Sequence, residues 1–273
     1  MCSPQKQINP MDQKIAIIGG GNLGLSIAKG LLASGFIQPG VMTVTRRNMD
    51  ALQPLQALGV PCTSDNHAAV SGSDVIILAV KPFQAGSLLE SVKDVLPGKI
   101  LVSVVTGVTI GDMSSIVPET TTVIRAMPNT AIAIRESMTC ICSHNAPAAA
   151  LSYIYNLFSQ LGKVVTIEEK LMEAATVLGA CGTAYAMRYI RANIQGGIEI
   201  GFDAKTASLI AAQTVLGAAQ LLLQNGTHPE QEIDKVTTPK GCTIAGLNEM
   251  EHRGFSSSLI RGVVASYKKI AKD

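Results

Sequence analysis

The stretch KIAIIGGGNLG, residues 14–24, decides the fold. Residues 14–18 form a short apolar run that breaks at once into Gly19, Gly20 and Gly21, and a helical pattern follows over residues 22–34. Gly19, Gly21 and Gly24 fall in the spacing G-x-G-x-x-G, and each position has a separate task. The first glycine makes a tight turn, the second lets a pyrophosphate approach the backbone, and the third lets helix pack on strand. The helix that follows opens with free N–H groups and the positive end of its dipole, which suits phosphate. A plain glycine turn is the bland alternative. The strand before the turn, the helix after it and a second strand at residues 41–45 supply the context a dinucleotide site requires.

The second strand ends in Thr45-Arg46-Arg47, with no carboxylate until Asp50. An NAD site places Asp or Glu there to hold the ribose 2′-hydroxyl. Two guanidiniums instead suit a 2′-phosphate, because forked donors pair with its oxygens. The expectation is NADPH, with NADH open as an alternative donor; a pair of solvated arginines is the other reading. Further apolar, β-branched runs occupy residues 74–80, 99–105, 121–126 and 138–143. Continuous apolar strands interleaved with helices predict a parallel sheet covered on both faces. The run at 74–80 leads into Lys81-Pro82 at the edge where such sheets bind ligands, although Lys81 reads equally well as an ordinary exposed lysine.

The character changes at residues 164–167, after which helical patterns cover 169–178, 184–200, 204–224, 244–251 and 256–272. The sequence is therefore α/β: a Rossmann-type doubly wound sheet over residues 13–166, then an all-helical dimerisation domain over 167–273. Residues 1–12 are polar, carry Pro4 and Pro10, and read as a flexible tail with no apolar signal segment.

Composition narrows the function. With 47% hydrophobic residues, 15% charged residues and a net charge of +2, there is no basic excess to suggest a nucleic-acid partner. Residues 206–229 lack a formal charge, but Gln213, Gln220, Gln224 and Asn225 interrupt them. A helix buried between subunits is favoured over a membrane span. The six cysteines, Cys2, Cys62, Cys140, Cys142, Cys181 and Cys242, are scattered and form no metal-ligand pattern. They read as free thiols in a cytoplasmic protein without a metal. His67, His144, His228 and His252 do not cluster and read as surface histidines.

Taken together, GGGNLG, LAVKP, VIRAMPNT (residues 123–130) and VTTPKGCTIAGL (residues 236–247) resemble pyrroline-5-carboxylate reductase, and the resemblance runs from about residue 14 to residue 271. It implies NADPH as hydride donor, 1-pyrroline-5-carboxylate as substrate and proline as product. It also implies a helical domain that interlocks with a second subunit in a homodimer or larger homo-oligomer. Carried over by motif, Gly19, Gly21, Asn22, Leu23, Gly24, Asn66, Ala79, Val80, Lys81, Pro82 and Ser103 line the cofactor site. Gly241, Cys242 and Thr243 form the turn that receives the substrate. Thr243 is expected as the N-cap of a helix that begins at Ile244, with its hydroxyl on the ring nitrogen.

Two stretches depart from the family pattern. Gly179-Ala-Cys181-Gly182-Thr183 stands where a Ser-Gly-Ser-Gly-Pro-like run is usual, and Lys240-Gly241 stands where Gly-Gly is usual. The lysine either assists carboxylate binding or obstructs a backbone shape that glycine permits. The rival readings are a β-hydroxyacid dehydrogenase-like enzyme and a non-catalytic NADP-binding regulator. The first needs a lysine acid/base on the helix that here carries Arg188 and Arg191, and arginine is a poor proton donor.

Overall fold

A computed structural model describes residues 13–271. The tail at 1–12, with Cys2, lies outside the described residues. The strands are β1 (Ile15–Ile18), β2 (Met42–Thr45), β3 (Cys62–Thr63), β4 (Val75–Leu78), β5 (Ile100–Ser103), β6 (Thr122–Met127), β7 (Ser137–Ser143) and β8 (Gly162–Thr166). They form one sheet in the order β3-β2-β1-β4-β5-β6-β7-β8. Helices α1 (Asn22–Ala33), α2 (Gln53–Gln56), α3 (Asn66–Ser71), α4 (Pro82–Val92), α5 (Ile110–Ser114) and α6 (Ala148–Ser159) alternate with them.

Alternation along each central strand explains why the sheet needs cover on both sides. Ile15 and Ile17 of β1, Val75 and Ile77 of β4, and Ile100 and Val102 of β5 share one core with Ile27, Leu31, Leu157 and Phe158. Ala16, Ile18, Ile76, Leu78 and Leu101 enter the opposite core with Val70, Leu89, Val92 and Met113. The winding is that of a doubly wound sheet, since the chain leaves β1 in one direction for β2 and in the other for β4.

The sheet is mixed, which corrects the wholly parallel expectation. β7 runs antiparallel to β6, and β8 is parallel to β7. Only a one-turn 3₁₀ segment, Thr130–Ile134, separates β6 from β7, and a parallel return needs a longer crossover. β3 is two residues long and was not read from the sequence.

Contacts divide the chain after Ala180. The last strand ends at Thr166, but residues beyond it stay with the first unit. Met172 is buried in its core, and buried Arg125 of β6 pairs with Glu169 at 2.9 Å and Glu173 at 3.4 Å. Here α7 (Met172–Ala175) passes into a π-helical turn, Thr176–Cys181, instead of ending as a separate helix.

The second unit holds α8 (Gly182–Glu199), α9 (Ala204–Asn225), α10 (Pro229–Lys235), α11 (Cys242–His252) and α12 (Phe255–Ala271). Of these, α10 was not anticipated. Tyr185 and Ser266 share a hydrogen bond at 2.6 Å, and α8 meets α9 closely enough that a Cβ on Gly197 lies 3.2 Å from the Ala207 Cβ. Among the described residues from Cys181 onward only Ala207 and Ala211 are buried. By length and composition α9 is apolar enough to cross a membrane, more so than its Gln and Asn interruptions suggested.

Candidate functional site

A cleft of about 890 Å³ opens at the carboxyl edge of β1, β2, β4 and β5. The glycine turn forms its floor. Gly19 has φ +110°, and a Cβ there would lie 2.4 Å from the Ala79 carbonyl oxygen, so only glycine fits between β1 and β4. A Cβ on Gly24 would lie 2.2 Å from the Gly19 oxygen and 3.2 Å from Ile17, so this glycine lets α1 settle on β1. Gly21 differs, because no atom lies within 4 Å of an added Cβ. It faces the cleft as the N-cap of α1 and makes no side-chain capping bond, leaving the first N–H groups of the helix for a ligand.

Arg46 and Arg47 follow β2 at one end of the cleft. Arg46 is half-buried, and its Nη1 donates to the Gly20 carbonyl at 2.7 Å, fixing the guanidinium beside the glycine turn. Arg47 is exposed. Neither arginine has a carboxylate partner among the described residues, so both are available to an anion. At the other end, Ala79, Val80, Lys81 and Pro82 line the wall after β4. Pro82 starts α4, where its missing N–H costs nothing, and the Lys81 N–H donates to Gln84 Oε1 at 3.3 Å. Asn22, Leu23 and Asn66 also line the cleft, Asn66 from the first turn of α3.

Ser103 does not line it. This residue is buried at the end of β5, and its Oγ accepts from the Val105 N–H at 3.2 Å, shaping the loop 104–106 that does reach the cleft. Gln84, Ser87, Leu88 and Ser91 of α4 were missed. Their i, i+3, i+4, i+7 spacing after the Lys81-Pro82 start was the available signal.

The turn at residues 238–241 brings Gly241 N–H to the Thr238 carbonyl at 2.9 Å. Pro239 sits second, and Lys240 sits third with φ 58°, the left-handed position that glycine usually fills in a type II turn. Lysine therefore does not obstruct the turn; it adopts the required φ itself. Gly241 is more constrained, since a Cβ there would lie 2.5 Å from Thr238 Oγ1. Gly241, and not Thr243, is the N-cap of α11, and the helix begins at Cys242. The expected cap is corrected because the extended backbone at Gly241 (φ −71°, ψ 163°) already hands the chain into the helix. Thr243 is its second residue, so its hydroxyl has no capping duty, and no side chain caps this N-terminus.

The VIRAMPNT stretch carries a feature that spacing alone did not show, the buried Arg125. Glu169 gathers Arg125, the Ile110 N–H at 2.7 Å and His144 Nε2 at 2.8 Å. Beside this cluster, burial and the Glu169 charge push the Cys142 thiol up to about 11, so it stays neutral and a poor nucleophile. Burial likewise pushes up the Cys62 and Cys140 thiols. Among the described residues no group of three or more metal-ligating side chains occurs.

Comparison with known proteins matches two parts of the chain. Residues 14–107 match a family model described as NADP oxidoreductase, coenzyme F420-dependent, and residues 169–273 match one described as pyrroline-5-carboxylate reductase dimerisation. The chain is 47% identical to pyrroline-5-carboxylate reductase 1 of Dictyostelium discoideum, over 95% of this chain and 50% of that protein. It thus spans half the length of that relative. It is 45% identical to pyrroline-5-carboxylate reductase 2 of the same organism, over 96% of this chain and 93% of that one. Among solved structures it is similar to Plasmodium falciparum pyrroline carboxylate reductase with NADP bound (TM-score 0.88, 26% identity, 96% and 98% of the two chains). A pyrroline-5-carboxylate reductase from Coxiella burnetii gives a TM-score of 0.89 at 29% identity, over 95% and 98%.

Proposed function

The chain belongs to the pyrroline-5-carboxylate reductase family, and on that premise we infer that it reduces 1-pyrroline-5-carboxylate to proline with NADPH, the closing step of proline biosynthesis. The observation that carries the cofactor half is the open face of Gly21 at an uncapped helix N-terminus, with two arginines that have no carboxylate partner among the described residues at one end of the same cleft. Gly21, Asn22 and Leu23 hold the pyrophosphate through backbone N–H groups. Arg46 and Arg47 hold the 2′-phosphate, and the nicotinamide end lies toward Ala79–Pro82 and the loop after Ser103. Bound NADPH supplies the hydride.

The substrate is a cyclic imine with a carboxylate. Its protonated C=N bond accepts hydride at carbon and becomes a secondary amine, so atoms and charge balance with one proton taken up. The protein's main task is positioning. The uncapped N-terminus of α11 at Gly241, Cys242 and Thr243 offers N–H donors to the carboxylate, and the Thr243 hydroxyl orients the ring nitrogen. Purified protein should consume NADPH only when the imine is added. No consumption with it would exclude this reading and favour a non-catalytic NADP-binding role, whereas consumption without it would point to a different oxidoreductase activity.

Replacing both Arg46 and Arg47 with Ala is expected to weaken NADPH at least about tenfold while sparing NADH, since each charge-assisted contact contributes roughly 1.5–3 kcal/mol. Titration of both cofactors checks it, and equal losses would show that these arginines do not read the phosphate. Thr243→Ala is expected to lower kcat/KM about tenfold to a hundredfold, the worth of one hydrogen bond to a charged group. Because Thr243 is not a cap, its melting temperature should not fall by the amount typical of a lost cap. Unchanged kinetics would remove Thr243 from the site.

The protein is a homo-oligomer with a small-molecule substrate. We assign it a two-fold pairing in which α9 faces a second copy of the chain and not lipid. The free thiols Cys62, Cys140, Cys142, Cys181 and Cys242 support a reducing, cytoplasmic location.

A further inference from the structure

β6 runs parallel to β5, so the loop after it, residues 128–130, leaves the sheet at the same edge as residues 104–106, which line the cleft. Thr106, which lines the cleft, donates its hydroxyl to Met127 Sδ at 4.0 Å. Two residues on, Asn129 is held from three directions. Its backbone N–H donates to Ser137 Oγ at 3.0 Å, its Oδ1 accepts from the Ala131 N–H at 3.0 Å, and its Nδ2 donates to the Gly179 carbonyl at 3.2 Å. The first two bonds are local and shape the turn into Thr130–Ile134. The third crosses 50 residues to the π-helical turn Thr176–Cys181.

A π turn is an uncommon way to continue a helix and costs regular hydrogen bonding, so it persists where surrounding contacts hold it. Here one such contact is a single amide reaching from the cleft-side loop. The path from Thr106 through Met127 to Asn129 and Gly179 is contiguous. We propose that Asn129 is a positioning residue for hydride transfer: its Nδ2 bond locks the β6 loop to the π turn and thereby fixes the wall at the nicotinamide end of the cleft. Asn129 touches neither cofactor nor substrate in this assignment. The inference rests on the reading of the cleft as the NADPH site.

The chemistry of asparagine lets its two side-chain bonds be separated. Asn129→Asp keeps the oxygen that accepts from Ala131 and loses the donor to Gly179. Asn129→Ser also keeps a local acceptor for the Ala131 N–H, cannot span to Gly179, and adds no charge. In both variants we expect kcat to fall about tenfold or more, as for a sub-ångström misplacement, with NADPH Kd within about twofold of wild type. The primary isotope effect with NADPH deuterated at the transferred position should rise, because the chemical step becomes more nearly rate-limiting. Amide hydrogen exchange over residues 176–181 should quicken, a readout independent of turnover.

Wild-type kcat and isotope effect in either folded variant would overturn the proposal. So would loss of NADPH affinity in step with kcat, or failure of both variants to fold, since either would make Asn129 merely structural. If wild-type protein binds no NADPH, the reading of the cleft fails instead, and the exchange measurement still reports whether Asn129 holds the π turn.

Discussion

Gly19→Ala is expected to abolish NADPH binding and to destabilise the first unit by about 3 kcal/mol or more. Two penalties add at this residue. At φ +110° an alanine pays for a backbone conformation that L side chains rarely adopt. Its Cβ also lies 2.4 Å from the Ala79 oxygen and 2.8 Å from the Ala79 carbon, backbone atoms that no rotamer change can clear. Relief would require β1 and β4 to part where Ile18 pairs with Leu78, beneath the cleft floor. Gly21→Ala is the control, because its φ of −78° suits any residue and its surroundings are open. That variant should melt near wild type yet bind NADPH more weakly, since the methyl occupies the pyrophosphate's approach. Thermal unfolding and NADPH titration of the two variants check this. A Gly19→Ala protein that melts and binds as wild type would remove the glycine turn from the site.

The strand, glycine turn and helix at residues 14–34 were legible because each signal is local: an apolar run, three spaced glycines, a change of period. The position of Arg46 and Arg47 at the cleft was legible for the same reason, because it depends only on where β2 ends. What escaped depends either on local backbone geometry that no residue pattern reports or on contacts distant in sequence. The direction of β7 follows from the short path between Met127 and Ser137, and nothing in the apolar run 138–143 reports it. The cap at Gly241 was misread as Thr243 because threonine is a common N-cap, whereas here the extended backbone of Gly241 takes the role. Ser103 was placed in the cleft by motif, but strand pleating turns its side chain into the protein. Arg125 sits in an apolar strand, and its carboxylate partners lie 44 and 48 residues away. Only the folded chain brings that cluster together, as it does Asn129 and Gly179.

Glu at both Leu209 and Leu216 is expected to reduce the protein to monomer and to remove its activity. These residues and Leu223 recur every seven positions along α9, on one stripe, and they are 70%, 52% and 70% exposed within a single chain. A helical unit whose buried residues, among those described, are two alanines cannot offset the conformational entropy of ordering its helices, so its core must be completed by another copy. A closed two-fold arrangement would achieve this with one surface repeated, each α9 stripe meeting the same face of its partner. Two carboxylates on that stripe would be buried without partners, at several kcal/mol each, far more than a weak association could absorb. The first unit has two complete cores of its own and should survive, so the monomer is expected to retain NADPH binding while losing turnover. Light scattering at micromolar concentration, read beside NADPH titration and the imine-dependent rate, checks all three expectations. A doubly substituted protein with wild-type mass and activity would show that the stripe faces solvent. The helical unit would then need another explanation for its exposed leucines.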